Sequence, residues 1–459
     1  MHPHPKPASE SPAVLPLPLA PFELYYDFDD EPEYPTTFPV ELRFSGPLNR
    51  AWFERALADT VARHPLLSAR IEDGDSGPSW VAGPDASPRL DWNDHEVPMR
   101  PPQGDAIDLR TGPGLRTWVR ASESRARVLF QFHHATCDGL AALQCVQELL
   151  ARYRMLAGDR DAERLLRRVD PQLLATRDVL ASDEPRKASA WSGIRDIWYT
   201  LKVWSSILWL TPEVLQPPSG GKADKRTPEL LAFHIAELAA DETAALHNLA
   251  AVHRATVNDL LLRDLLLVLR RWNDRQAGPR AGRLRITVPV NVRTRGDAAM
   301  PAANRIGYGF VTARLDERDD PAAVLAKVRE ETRRIKDWHL GLYFLGGLAF
   351  ASKFPRMFAR AMRRERSFAT AVLSNVGRFS PDKTLAPTDK WRCGELTLEW
   401  IGGAPPLRRL TRAAIIVIEY AGRASLCLRT DPHAFDEAST RELLTELVEE
   451  VQETLRRGV

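Results

Sequence analysis

Cysteine is scarce in this sequence: four among 459 residues, at Cys137, Cys145, Cys393 and Cys427. None belongs to a C-x-x-C pair, so the spacing writes neither a disulfide framework nor a thiolate metal site, and a reducing cytosol is the simpler setting. An excess of one charge is also missing. The 63 basic and 61 acidic residues leave a net charge of +2, which lacks the strongly basic face that nucleic-acid binding needs. No run of 18 or more residues is both apolar and uncharged, so a spanning helix is excluded. The first twenty residues, MHPHPKPASESPAVLPLPLA, have no continuous apolar core of the signal-peptide kind and read as a mobile Pro-rich arm over 1–20. Together these absences predict a cytoplasmic protein.

What is present is globular. Hydrophobic residues make up 44% and charged residues 27%, the balance of a soluble chain, and 459 residues exceed one compact core, so two subdomains are expected. FPVELRFSG alternates as a strand over 38–46, and Asn49 can cap the amphipathic helix RAWFERALADTVARH. PLLSARIE reads as a short strand, and RTWVRAS with RVLFQFHH as a strand pair. A helix follows from Leu140, with Leu143, Val146, Leu150 and Tyr153 at helical spacing. This first half spans 21–170. Residues 171–228 read as a crossover linker holding a Trp-rich amphipathic helix and the breaker run QPPSGGKADKRTP. Over 229–459 the strand and helix mixture repeats, with Thr256 and Asp259 as a capping box and a closing amphipathic helix. Two mixed α+β halves joined by a crossover place a cleft between them.

Residues 131–140, QFHHATCDGL, sit where a strand ends and a helix begins. Histidine there suits proton abstraction near neutral pH. Asp138 could fix the turn by pairing with a cation, and Gly139 would keep an entrance open. Other readings compete: packing of both histidines, a metal site, or Cys137 as nucleophile beside His134. Neighbouring strand residues point to opposite faces, so His133 and His134 do not readily share one ion, and nothing near Cys137 marks it as activated.

HHATCDG resembles the HHxxxDG motif of the chloramphenicol-acetyltransferase-like acyltransferase superfamily, which includes peptide-synthetase condensation domains, plant BAHD acyltransferases and bacterial wax ester synthase/diacylglycerol acyltransferases. Other segments fall in the family's order: LPLAPFELYYDF, PLNRAWFERALADTVARHPLLSARI, DLRTGPGLRTWV, ATVNDLLLRDLLLVLRRW, VPVNVRTRGDAAMPAANRIGYGF and AVLSNVG. The Pro-Leu-Trp stretch of wax ester synthases and the Asp-Phe-Gly-Trp-Gly motif of BAHD enzymes are absent.

The resemblance implies two acyltransferase-like subdomains forming a V around a central channel. It implies His134 as general base, His133 as a packing residue that aligns the strand, and Asp138 as a structural partner of Arg293, with Arg295 as second choice. It implies an acyl-CoA or phosphopantetheine-linked acyl thioester as co-substrate, with no other cofactor and no metal, and an alcohol or amine as acceptor. Ser374 and Asn375 are candidate oxyanion or substrate-binding donors, although Ser-Asn before Gly is equally a turn signal; Asn258 and Asp259 read as helix capping. Three functions follow: an O-acyltransferase, a stand-alone condensation-type enzyme making an amide, and a non-catalytic acyl- or partner-binding protein. Finally, WSGIRDIWYTLKVWSSILWL and FASKFPRMFARAMRRERS join aromatic and basic residues in amphipathic patterns, from which peripheral membrane contact is expected.

Overall fold

The computed structural model describes residues 14–83, 89–99, 106–180, 200–201, 204–205, 210–218, 232–279, 282–315, 319–362 and 366–458. In chain order its first half contains β1 (Leu17–Pro18), α1 (Pro21–Asp29), β2 (Thr37–Ser45), α2 (Arg50–Val61), β3 (Arg70–Gly74), β4 (Gly77–Val81), β5 (Arg89–Asp94), β6 (Leu115–Ala121), β7 (Arg125–His133) and α3 (Gly139–Leu156). Period-two alternation explains the central pair. Phe38, Val40, Leu42 and Phe44 of β2 share a core with Phe130 and Phe132 of β7, together with Phe53 and Leu57 of α2 and Val146 and Leu150 of α3. Fully burying each such side chain stabilises by about 1.5–3 kcal/mol. Asn49 caps α2, its Oδ1 accepting from Trp52 N–H at 3.0 Å. PLLSARIE departs from the expected strand: Pro65–Leu67 is a 3-10 turn and the strand begins only at Arg70. Proline at the turn's start has a fixed φ and no N–H to offer a ladder.

The second half contains β8 (His234–Glu237), α4 (Ala240–Val252), α5 (Val257–Ala277), β9 (Arg283–Asn291), β10 (Ile306–Arg314), α6 (Pro321–Asp337), α7 (Leu340–Ala351), α8 (Pro355–Met362), β11 (Ala371–Arg378), β12 (Arg392–Cys393), β13 (Leu396–Gly403), β14 (Ala413–Tyr420), β15 (Arg423–Thr430) and α9 (Glu437–Arg457). Thr256 and Asp259 close the capping box that starts α5. One six-stranded sheet runs β10-β9-β11-β14-β15-β8, the other β12-β13-β2-β7-β6-β5, and a small sheet runs β1-β4-β3. Parallel pairing of β11 with β9 and β14, and of β5 with β6, makes both large sheets mixed. The class is α+β, with helices flanking two mixed sheets.

The sheets do not keep to the boundary at 229. Strand β13, counted by the sequence with the C-terminal half, pairs antiparallel with β2 and completes the N-terminal sheet. An exposed edge of β2 would template foreign pairing; the alternating apolar pattern of β13 fits either sheet and does not say which.

A third core stitches the halves together. Phe22, Tyr25 and Tyr26 of α1 pack with Ile306 of β10, Phe344 and Leu348 of α7, and Phe358 of α8. The start of the crossover is tied to both halves: Arg177 donates to Glu23 at 2.7 and 2.9 Å, and its carbonyl accepts from Arg305 at 3.1 Å. Most of the Trp-rich stretch 191–210 lies outside the described residues. Trp204 is described. It stacks on Phe344 at 5.5 Å and occupies the space that a Cβ on Gly347 would need. Among the described residues, no helix is long and apolar enough to cross a membrane.

Candidate functional site

Where β7 ends, the chain turns within five residues into α3, and the motif occupies that turn. Strand alternation separates the two histidines. His133 is 1% exposed and points into the protein; its Nδ1 accepts from Ala135 N–H at 3.1 Å, and its Nε2 lies 3.4 Å from Thr36 Oγ1 and 3.6 Å from Asp30 Oδ2. It thus ties the strand end to the 30–36 loop. His134 faces the other way, onto a cavity of about 980 Å³ lined from both halves, by Phe38, Gly139, Thr287 and Ser374 among others.

The His134 ring is held on both sides. Tyr26 stacks on it at 4.1 Å with planes 17° apart, and Phe38 lies at 4.9 Å. The Tyr26 hydroxyl is 3.2 Å from Nε2 and 2.6 Å from the Tyr308 hydroxyl. The backbone is fixed equally: His134 N–H donates to Thr36 O at 2.8 Å, and Asn304 Nδ2 donates to His134 O at 2.7 Å. Nδ1 makes no well-aligned hydrogen bond among the described residues. Burial lowers the His134 pKa to about 4, against an opposing pull from its own backbone carbonyl and the Asp138 carboxylate. At neutral pH the imidazole is therefore uncharged and able to accept a proton.

Asp138 is fully buried and does structural duty. Its Oδ1 caps α3 through Ala141 N–H and accepts from Arg293 Nη2, both at 2.9 Å, while Oδ2 accepts from Arg305 N–H at 2.8 Å. One carboxylate from the first half thus holds two segments of the second. Arg295, the alternative partner, is exposed and starts a 3-10 turn. A Cβ on Gly139 would meet nothing within 4 Å, so this position leaves open space at the cavity wall. Ser374 and Asn375 also line the cavity, on β11. Asn375 Oδ1 accepts from Gly377 N–H at 2.9 Å, beside a register shift at Gly377, whose φ is +70°. Its side-chain oxygen therefore serves the turn, and its amide N–H₂ is the group left as a donor. Asp259 caps α5 and accepts from Thr332 at 2.7 Å, while Asn258 is not among the residues lining the cavity.

Burial pushes the Cys137 thiol well above its ordinary range, which leaves it a packing residue and a poor nucleophile. No group of three or more metal-ligating side chains occurs among the described residues. Sequence reasoning missed Tyr26, Tyr308 and Asn304. The signal for Tyr308 was present in IGYGF, where Gly307 and Gly309 face α7 and α6 and send Tyr308 and Phe310 to the opposite face, on the cavity.

The basic amphipathic stretch also belongs to this cavity. Phe354, Met357 and Phe358 line its wall, with Leu201 and Phe350 beside them. Phe358 is buried, but Leu201, Phe350 and Met357 are almost two-thirds exposed. Lys353, Arg356 and Arg360 flank them on the surface, and residues 363–365 lie outside the described set.

Comparison with solved structures identifies the fold: the two-subdomain fold of condensation domains and of an O-acetyltransferase. The TRI3 trichothecene 15-O-acetyltransferase of Fusarium sporotrichioides is 14% identical and matches 94% of this chain and 93% of its own with a TM-score of 0.69. The first condensation domain of the calcium-dependent antibiotic synthetase is 14% identical, with 96% of each chain covered and a TM-score of 0.66. At such identities the likeness shows the fold alone. By sequence, an uncharacterized protein of Mycobacterium tuberculosis is 25% identical over 382 residues, 79% of this chain and 82% of its own. A linear gramicidin synthase polypeptide of Brevibacillus parabrevis is 32% identical over 161 residues, 30% of this chain and 2% of that protein. No family model matches.

Proposed function

We propose that this protein is an acyltransferase that moves an acyl group from a thioester, acyl-CoA or acyl-carrier protein, to an alcohol, with His134 as general base. The observation that carries the reading is a buried, uncharged His134 facing a large apolar cavity between two halves. The acceptor gives its proton to Nε2 as its oxygen attacks the thioester carbonyl. Ser374 and Asn375 are the proposed donors to the tetrahedral oxyanion; loss of one such donor typically costs about a hundred- to a thousandfold. Collapse expels the thiolate, which recovers the proton from His134. No covalent acyl-enzyme forms, in keeping with the inert Cys137. Free-thiol release by the purified protein across a panel of acyl-CoA donors and alcohols tests this. Turnover only with carrier-bound donors and amine acceptors favours the condensation-type reading, which the gramicidin synthase similarity supports. No thiol release with any pair leaves a non-catalytic binding protein.

The low His134 pKa sets a pH dependence. Transfer requires the neutral imidazole, so activity falls as pH falls through its pKa. We expect kcat/KM to stay level from pH 8 to about 5.5 and to halve near pH 4. An acid limb centred on the ordinary histidine value, about 6.5, contradicts the buried base.

We also propose that the exposed apolar mouth of the cavity rests on anionic lipid, with Lys353, Arg356 and Arg360 supplying about 1 kcal/mol each where well placed. Co-flotation with phosphatidylserine vesicles at low salt, lost at high salt, is the expected result. No flotation at low salt, where the attraction is strongest, sinks it.

A further inference from the structure

Two phenols stand beside the base, and a transfer that needs only His134 and the oxyanion donors gives them no task. Tyr26 and Tyr308 share one hydrogen bond of 2.6 Å, which uses one of their two hydroxyl protons. The second proton needs an acceptor. If Tyr308 were the donor within the pair, the Tyr26 proton would be left over the His134 ring. The Tyr26 ring is stacked on the imidazole with planes 17° apart, so its hydroxyl approaches Nε2 from the ring face. The nitrogen lone pair lies in the ring plane, which makes that a poor bond and leaves the lone pair open. The better arrangement has Tyr26 donating to Tyr308. The Tyr308 proton is then available to the cavity, whose wall Tyr308 forms. Burial raises both phenols above their ordinary range, so both keep their protons.

We propose that Tyr308 and His134 together form a seat for a hydroxyl oxygen, Tyr308 donating a hydrogen bond to it and His134 Nε2 accepting its proton, with Tyr26 positioning both. This rests on the acyl-transfer reading and names the acceptor class within it. Tyr308 Oη and Nε2 lie 2.6 and 3.2 Å from the same Tyr26 hydroxyl oxygen, which brings the two groups within the span that one oxygen can bridge. During transfer the acceptor O–H bond breaks and the proton moves to Nε2. The bond to the acyl carbon forms from one oxygen lone pair, while the Tyr308 hydrogen bond occupies another and steadies the negative charge that builds on the oxygen. Tyr308 loses no proton. An amine nitrogen has one lone pair and cannot both accept from Tyr308 and attack. The seat therefore selects alcohols over amines of the same shape.

The test compares 1-octanol with octylamine, corrected for its neutral fraction, as acceptors from octanoyl-CoA. The wild type is expected to prefer the alcohol. Tyr308→Phe is expected to lower kcat for the alcohol about ten- to a hundredfold, the range for a hydrogen bond to a charged group, and to lower the amine rate no more than a few-fold. The loss should shrink for fluorinated, more acidic alcohols, which need less help in carrying charge; a merely structural role would not grade with acidity. Equal losses for alcohol and amine, or none, overturn the proposal. If neither these acceptors nor any pair of the donor and acceptor panel, carrier-bound donors included, releases thiol, the acyl-transfer reading fails by itself. A crystal soaked in 1-octanol still decides the seat: an oxygen within 3.2 Å of both Tyr308 Oη and Nε2, the spacing of a direct hydrogen bond, supports it, and an oxygen elsewhere in the cavity removes it.

Discussion

Replacing His134 by Ala is expected to cut thioester-dependent transfer by about a hundred- to ten-thousandfold, the usual worth of a positioned general base, while the protein stays folded. The fold survives because the bonds that set the turn are made by the backbone: His134 N–H to Thr36 O and Asn304 to His134 O both outlast the ring. What disappears is the proposed proton acceptor, together with the filling between Tyr26 and Phe38. His133→Ala is expected to rank the other way. It removes the acceptor of Ala135 N–H and the link to Thr36 and Asp30. A buried N–H left unmade costs about 1–3 kcal/mol, so the melting temperature falls while activity falls less. Thiol release and thermal melts on both variants give the ranking. A His134→Ala protein with an unaltered rate removes it as the base, and the reverse ranking exchanges the two roles.

Some of this was legible in the sequence, and the reasons are local. Strand β2 and helix α2 follow from the alternation of Phe38, Val40, Leu42 and Phe44 and from the Asn49 cap, both of which act within a few residues. The motif turn was legible because HHATCDG sits at a change of period from two to 3.6. Strand β4 was missed, since GPSWV opens with Gly and Pro and alternates weakly. The partnership of β13 with β2 links positions more than 350 residues apart, and no local pattern encodes it. Helix α7, LGLYFLGGLAFA, is apolar almost all round, so it shows no amphipathic stripe; the side that faces the cavity, with Phe344, Gly347, Phe350 and Ala351, is set by its tertiary neighbours and not by its own pattern. Tyr26 was hidden for a related reason: what makes it part of the site is a stack on a residue 108 positions away.

Asp138→Ala is expected to cost about 3–5 kcal/mol, the range for breaking a buried ion pair from one side, and to lower activity with it. Three losses coincide in that one carboxylate. The α3 cap through Ala141 disappears, worth about 1 kcal/mol. Arg305 N–H is stranded where it had a 2.8 Å partner. Arg293 keeps Ala303 O at 3.2 Å but loses its carboxylate. Because Arg293 is 15% exposed and Asp138 1%, the two single variants should differ. Arg293→Ala strands a buried carboxylate that retains two backbone donors; Asp138→Ala strands a guanidinium that water partly reaches. A double-mutant cycle on the denaturation midpoint separates the pair from the rest. Coupling well above about 0.5 kcal/mol identifies Asp138 and Arg293 as partners, and additivity within that limit sinks the assignment. The activity loss then follows from position. Arg293 and Arg305 belong to the second half and Asp138 to the turn that carries His134, so releasing the carboxylate loosens the proposed base relative to Tyr308 and the wall of β11. Asp138→Asn discriminates further: its Oδ1 can still cap α3 and accept from Arg293 Nη2, but its N–H₂ would face Arg305 N–H, donor against donor, and the negative charge is lost. It should therefore recover the cap and an uncharged bond to Arg293 but not the Arg305 contact, leaving stability and transfer between those of Asp138→Ala and the wild type.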